Sequence, residues 1–453
     1  MNFLETRKEL FDKVVCRTYK CNDSIQLVTY NLKLHTVAYL EDLSAELFEL
    51  MHSCTSFELE KFLKENELQD DFSGFVDELI QENVLNNNKM LKEEQVLING
   101  SGDNQAVTDF YEKLYENGYL FNLHIDVTKR CNLRCKHCYH PFEEYSYEKE
   151  MDLLTIKSLI DEAYDMGVFI VILSGGEPLL RNDILQIIKY ISSKGMCIDL
   201  FTNATLMDEE FISNISKYNI NRVSISIYSN QEQIHDSITK VNGSHKKTIR
   251  AINQLSNNGL QVELKTIMMK ENFEDYKSLD RYAANMGCKL ILDTSMTPKL
   301  NSDDTPINLA LSYEQYLDLC LDKDCSYYAN QVSPLNPNEH SCNAGRYSLY
   351  CDSDGNYYPC VSFQMNLGNL STGLKQAWNN NDLKTWRAMK NCDYYGYKKH
   401  SYCDFCLEIC AGIAQLENGD YTKCEKSDCY KAKAREQAFE MIKEVEQHEK
   451  VRC

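Results

Sequence analysis

The chain has 453 residues, 43% hydrophobic and 26% charged, a length for two or three soluble globular domains rather than one core. Its 68 acidic against 48 basic residues give a formal charge of −20, which excludes a general nucleic-acid binder, because that needs a basic footprint. The longest apolar run, 167–173, falls far short of the roughly 20 residues of a membrane span. Met1–Asp12 offers no signal-peptide core, so the expectation is a cytoplasmic protein without membrane contact.

The chain opens with strand-like segments at Ile25–Leu34 and Val37–Leu40. Three helical stripes follow: Leu43, Leu47, Leu50 and Met51; then Phe57, Leu59, Phe62 and Leu63; then Phe72, Phe75, Val76, Leu79 and Ile80. A strand pair with three short helices is the plan of a winged helix-turn-helix, over residues 1–100. The acidic pairs Glu58/Glu60 and Asp77/Glu78 disfavour DNA as its ligand. The polar stretch from Asn86 to about Asp109 reads as a linker.

From Phe121 strands alternate with helices. Leu123–Val127, Val168–Leu173, Cys197–Phe201, Val223–Ile227, Val262–Met268 and Leu290–Leu292 read as six parallel strands. Over 118–300 they predict an α/β architecture, a partial (β/α)6 TIM-like barrel with its chemistry at the C-terminal strand ends. Residues 301–340 read as a mostly helical bridge and 341–440 as a cysteine-rich domain. Tyr430–Val451 reads as an amphipathic helix with Ala434, Ala438, Met441, Ile442 and Val445 on its apolar side.

Twenty cysteines in a reducing compartment point to metal or redox chemistry where they cluster. Cys16, Cys21, Cys54, Cys197 and Cys288 stand apart and read as small buried hydrophobes. Cys131-Asn-Leu-Arg-Cys135-Lys-His-Cys138 is different, a loop directly after the first barrel strand. Iron–sulfur cubes are held by thiolates, commonly four, so three leave one iron open to a ligand. A zinc site would need a second cysteine pair nearby.

This loop resembles the signature of the radical S-adenosylmethionine (radical SAM) superfamily. The resemblance implies that Cys131, Cys135 and Cys138 hold a [4Fe–4S] cluster whose open iron chelates S-adenosylmethionine, which is cleaved to a 5′-deoxyadenosyl radical. It places His137 near the adenine. Gly175, Gly176 and Glu177 match the family's GGEP element, where glycines permit close backbone approach and Glu177 would accept the methionyl ammonium. Asn203 matches a TNG-like element with Ala204 in place of the glycine, and Ser226 matches a ribose contact. After His235-Asp236 the family's arginine is replaced by Thr239, and Lys240 is a candidate substitute.

The second field, Cys342-x12-Gly355-x4-Cys360, Cys403-x2-Cys406-x3-Cys410, Cys424 and Cys429, resembles the SPASM domain, which binds auxiliary iron–sulfur clusters. Asp352–Asn356 reads as a hairpin turn between strands Ser348–Cys351 and Tyr357–Cys360. The family's middle spacing is shortened, and Ala414 stands where a cysteine is expected. Cys403, Cys406, Cys410 and Cys429 are expected to form one four-thiolate set. Cys342 and Cys360 begin another, completed by Cys351, by Cys424 or by a substrate thiolate, so one or two auxiliary clusters are expected. A zinc-ribbon-like module is the plainer alternative.

The whole arrangement resembles maturases of ribosomally made peptides, whose N-terminal domain takes the precursor's leader as an added strand. It implies a precursor peptide as partner, an electron donor such as flavodoxin or ferredoxin, and a thioether or carbon–carbon cross-link as product. A formylglycine-forming maturase and a non-enzymatic iron–sulfur redox protein are the alternatives.

Overall fold

The computed structural model describes the chain outside residues 1–6, 8–9, 22–23, 34–35, 54–55, 70, 83, 87–103, 143–149, 323–333, 335, 341, 395–398, 407–408, 426 and 453. Cys54, most of the expected linker and part of the bridge therefore lie outside the described residues.

The N-terminal domain has three strands where the spacing predicts two. These are β1 (Val14–Cys21), β2 (Ser24–Asn31) and β3 (Thr36–Glu41), antiparallel in the order β1-β2-β3. β1 escapes a period-2 reading because both of its faces are covered. Val14 and Cys16 pack toward helices α1 (Asp42–Ser53), α2 (Ser56–Glu65) and α3 (Phe72–Gln81), among Leu47, Phe48 and Met51. Val15, Tyr19 and Cys21 face the other way.

That second face closes one end of the barrel. Val15, Tyr19 and Val28 pack on Phe121, Phe169, Ile170 and Cys197, and on Phe110 and Leu114 of α4 (Asn104–Glu116), a helix that begins inside the expected linker. Arg17 donates to the carbonyls of Val168 (2.9 Å) and Tyr164 (2.5 Å), and Lys13 to those of Ser216 (2.9 Å) and Tyr218 (3.0 Å). These carbonyls precede barrel strands, so the domain covers the end opposite the chemistry.

The six expected barrel strands are present as β4 (Asn122–Asp126), β5 (Ile170–Ser174), β6 (Cys197–Thr202), β7 (Ile220–Ser226), β8 (Val262–Ile267) and β9 (Lys289–Asp293), each parallel to the next. Between them run α5 (Leu153–Asp165), α6 (Ile184–Ser193), α7 (Glu209–Ile215), α8 (Glu232–Thr239), α9 (Ser244–Asn257) and α10 (Tyr276–Asn285). Leu123, Ile125, Val171, Leu173, Ile198 and Leu200 pack outward under Ile156, Ile160, Ile187 and Ile191. Several of the alternate positions are polar: Arg222 pairs with Asp199 (2.7 Å) and Glu263 (3.2 Å), and Lys265 lies 3.8 Å above the Phe201 ring.

The hairpin strands are β10 (Ser348–Cys351) and β11 (Tyr357–Tyr358), the latter shorter than expected. β10 pairs parallel with β4, Ser348 opposite Asn122 and Cys351 opposite Ile125. An open barrel leaves its first strand unpaired along one side, and the hairpin covers that edge. The bridge contains a 3-10 turn at Thr305–Leu309 and α11 (Tyr313–Leu321); α12 (Leu374–Trp378), α13 (Asn381–Ala388), α14 (Ala411–Asn418) and α15 (Cys429–Arg452) follow. The apolar stripe of α15 packs only in its first half: Ala434 and Ala438 are buried near Tyr316 and Leu319, whereas Met441 and Val445 are 41% and 50% exposed. Among the described residues no helix is long and apolar enough to cross a membrane.

Candidate active site

The cysteine loop leaves β4 and is held on three sides. Backbone bonds join it to the segment after β5: Gly176 N–H to Thr128 C=O (2.8 Å) and Glu177 N–H to Arg130 C=O (2.8 Å). Asn132 donates to Thr205 Oγ1 (2.8 Å) and accepts from Asn203 Nδ2 (2.9 Å). Arg134 and Lys136 N–H groups bond the carbonyls of Thr239 (3.1 Å) and Ile238 (3.0 Å) at the end of α8.

Gly175 and Gly176 serve this crossing of two backbones. A Cβ at Gly175, where φ is +134°, would lie 2.2 Å from Thr128 O; one at Gly176 would lie 2.3 Å from Arg130 O. Gly176→Ala is therefore expected to displace the loop, at a cost of about 1–3 kcal/mol. A lowered thermal midpoint and deficient iron loading after reconstitution are the readouts.

Glu177 lies in the same crossing. Its fully buried carboxylate accepts from Thr202 Oγ1 (2.8 Å), Asn203 N–H (2.8 Å) and Leu179 N–H (3.1 Å), and burial pushes its pKa up to about 7. Asn203 is spent on Asn132 and on Thr205, whose N–H and hydroxyl it accepts. Ala204 takes a left-handed φ of +58°, the conformation the family's glycine provides freely.

Cys131, Cys135 and Cys138 face one another within electrostatic range. Burial pushes the thiols of Cys135 and Cys138 up to about 12 and raises that of Cys131, and each carries a further repulsive contribution from neighbouring acids. Thiols so placed stay protonated unless cationic metal neutralises them. The donor set therefore fits an iron–sulfur cluster, with three thiolates and no fourth in the loop.

Around them stand residues from β7 and α8. The His137 ring lies edge-on to Tyr228 (centroids 4.7 Å apart), and its Nδ1 is buried without a hydrogen-bond partner. The Tyr228 hydroxyl reaches Cys135 Sγ at 3.8 Å. Tyr228 carries no family motif, but period 2 through Ser224-Ile-Ser-Ile-Tyr228 places it on the face of Ser226. Lys240 sits exposed at the left-handed cap of α8, and Asp236 caps the next helix through Gly243 N–H (2.5 Å) and Ser244 Oγ (2.8 Å).

His235, 1% exposed, has its pKa pushed down to about 4 by burial, with His245 adding to the effect. A depressed histidine is neutral when folded but takes a proton when unfolded between about 6.5 and 4. Stability should therefore fall as pH drops through that window, by up to about 3 kcal/mol. Urea midpoints at pH 7 and 4.5 for wild type and His235→Gln check this; the variant should lose less on acidification.

The second cysteine field is grouped by the fold against its sequence spacing. Cys410 opens α14, and Gly412 packs so tightly on Ser362 that a Cβ would lie 2.7 Å from it, which brings Cys410 to Cys360. Burial, Glu425, Cys360 and Cys342 hold the Cys410 thiol well above its ordinary range. Burial, Glu425, Cys424 and Cys429 raise the Cys406 thiol, and burial with Cys403 raises those of Cys424 and Cys429. Cys424 is thereby pushed up to about 11 by burial, Cys403 and Cys429. By proximity the thiols fall into two sets, Cys342/Cys360/Cys410 and Cys403/Cys406/Cys424/Cys429, where the spacing groups Cys410 with Cys403, Cys406 and Cys429.

Glu425, unremarked in the sequence, lies between the two sets. Its carboxylate accepts from Cys410 N–H (3.3 Å) and its carbonyl from the Cys429 thiol (3.4 Å). Cys351 belongs to neither set; it is fully buried in the barrel core with its thiol toward the Asp352 carbonyl (3.5 Å). Cys16, Cys21, Cys197 and Cys288 pack in apolar clusters.

Residues 125–283 match the radical SAM superfamily, and 342–410 match SPASM, an iron–sulfur cluster-binding domain. The chain is 23% identical over 316 residues to the AdoMet-dependent heme synthase of Oleidesulfovibrio alaskensis, covering 63% of this chain and 80% of that protein. It is 26% identical over 333 residues to the subtilosin biosynthesis protein AlbA of Bacillus subtilis, covering 68% and 72%. Streptococcus suis SuiB, solved with precursor peptide SuiA, shares the fold with a TM-score of 0.61 at 14% identity, over 93% of this chain and 99% of that one.

Proposed function

Because this chain carries a radical SAM core followed by a SPASM domain, we propose that it is a maturase that installs a cross-link in a ribosomally made precursor peptide. It is an enzyme that uses S-adenosylmethionine and a [4Fe–4S] cluster, with auxiliary iron–sulfur clusters in its SPASM domain. When bound, the cluster and S-adenosylmethionine supply a carbon-centred radical that takes a hydrogen atom from the substrate. The chain's own part is to hold and orient. Cys131, Cys135 and Cys138 bind the catalytic cluster, while Gly175–Glu177, Asn203, Ser226 and His137 shape the place beside it. Cys342, Cys360 and Cys410 are three thiols where four would close a cluster. The remaining place suits a substrate cysteine, which favours a thioether over a carbon–carbon bond.

The observation that carries the peptide reading is the N-terminal sheet. Among the described residues β1 and β3 each pair on one side only, so an extended leader can add as a further strand. SuiB, which was solved with a precursor peptide, shares the fold over 93% of this chain, a span that takes in most of this domain.

The test takes a Cys-bearing peptide encoded by a short reading frame beside this gene. Incubated anaerobically with reconstituted protein, S-adenosylmethionine and dithionite, it is expected to lose two hydrogens per cross-link, and only with its leader attached. In the cell a flavodoxin or ferredoxin would replace dithionite. Conversion of an iron porphyrin with no peptide turnover would overturn the reading. So would formylglycine formation in a folded protein with no need of a leader. Leader dependence is a cleaner probe than deleting residues 1–100, since that deletion uncovers Phe121, Phe169 and Cys197 at the barrel's closed end.

A further inference from the structure

Tyr228 is held more firmly than a packing residue requires. It is 7% exposed, and its backbone is fixed from both sides: its N–H bonds His235 Nδ1 (3.3 Å) and its carbonyl accepts from Asn272 Nδ2 (2.9 Å). Asn272 is itself buried, donating also to the Ile267 carbonyl (2.9 Å) and accepting from Met269 N–H (2.7 Å). The ring is wedged against His137. With main chain and ring both fixed, the hydroxyl has one direction left, and it reaches Cys135 Sγ at 3.8 Å.

We propose that Tyr228 is a positioning residue that raises the reduction potential of the catalytic cluster by donating its phenolic hydrogen bond to the Cys135 sulfur. Hydrogen bonds to cysteine sulfurs are among the levers that set iron–sulfur potentials. The sign follows from charge: reduction adds an electron, the sulfur becomes a better acceptor, and the bond stabilises the reduced form more than the oxidised one. The inference rests on Cys131, Cys135 and Cys138 as ligands, but not on the identity of the substrate.

The experiment is EPR-monitored potentiometry of reconstituted protein without S-adenosylmethionine. A Cys403→Ala/Cys342→Ala background leaves the catalytic cluster as the main signal. Tyr228→Phe keeps the ring and removes the hydroxyl, and should shift the potential to more negative values at unchanged iron and sulfide content. An unchanged potential at full loading overturns the proposal. Absence of any cluster in the background protein instead strikes at the ligand assignment, so the two failures are distinguishable. Should Tyr228→Phe fail to load, 3,5-difluorotyrosine at position 228 decides. It keeps the ring, donates more strongly and should shift the potential positive; no shift overturns the proposal.

Discussion

Alanine at Cys131, Cys135 or Cys138 is expected to abolish deoxyadenosine formation from S-adenosylmethionine under dithionite, and to remove about four irons per chain. The effect should be all-or-none because the loop supplies only three thiols. Losing one leaves two irons without protein ligands, and the neighbouring Asn132 is already committed to Thr205 and Asn203. The loop is also rigid, tied to Gly176, Glu177, Ile238 and Thr239 through its own backbone, so another side chain cannot swing in to compensate. Anaerobic iron and sulfide counts beside a deoxyadenosine assay measure both halves. Zinc in place of iron at this loop, or an EPR spectrum indifferent to S-adenosylmethionine, would falsify the assignment.

The second large effect separates the two auxiliary sets. Cys410→Ala and Cys342→Ala are each expected to cost one cluster, about four irons, and the double variant no more than either alone. Cys410→Ala combined with Cys429→Ala should cost about eight, because the two thiols serve different clusters. Grouping by sequence makes the opposite forecast, with Cys410 and Cys429 sharing a loss. Non-additivity within a set and additivity between sets is the logic of a double-mutant cycle applied to metal content. Equal losses for Cys410→Ala/Cys429→Ala and either single variant would sink the grouping by fold.

The barrel was legible in advance because its signals are local. Six short segments with apolar residues at alternate or consecutive positions announce six strands, since helices cover the outer face of the sheet. The cysteine loop was equally plain, three thiols within eight residues at a strand end. β1 was not, because a strand buried on both faces and carrying Arg17 and Lys20 shows no clean alternation.

Sequence by itself determined the elements, the three-thiol loop and the inventory of cysteines available for further clusters, since each depends on residues close together along the chain. Which cysteines lie near one another, which barrel edge the hairpin covers and which end the N-terminal sheet closes were decided only by the tertiary structure. Cys360 and Cys410 are joined by Gly412 packing on Ser362 across a long intervening segment. Packing of that kind depends on shape at a distance, and residue spacing carries no record of it.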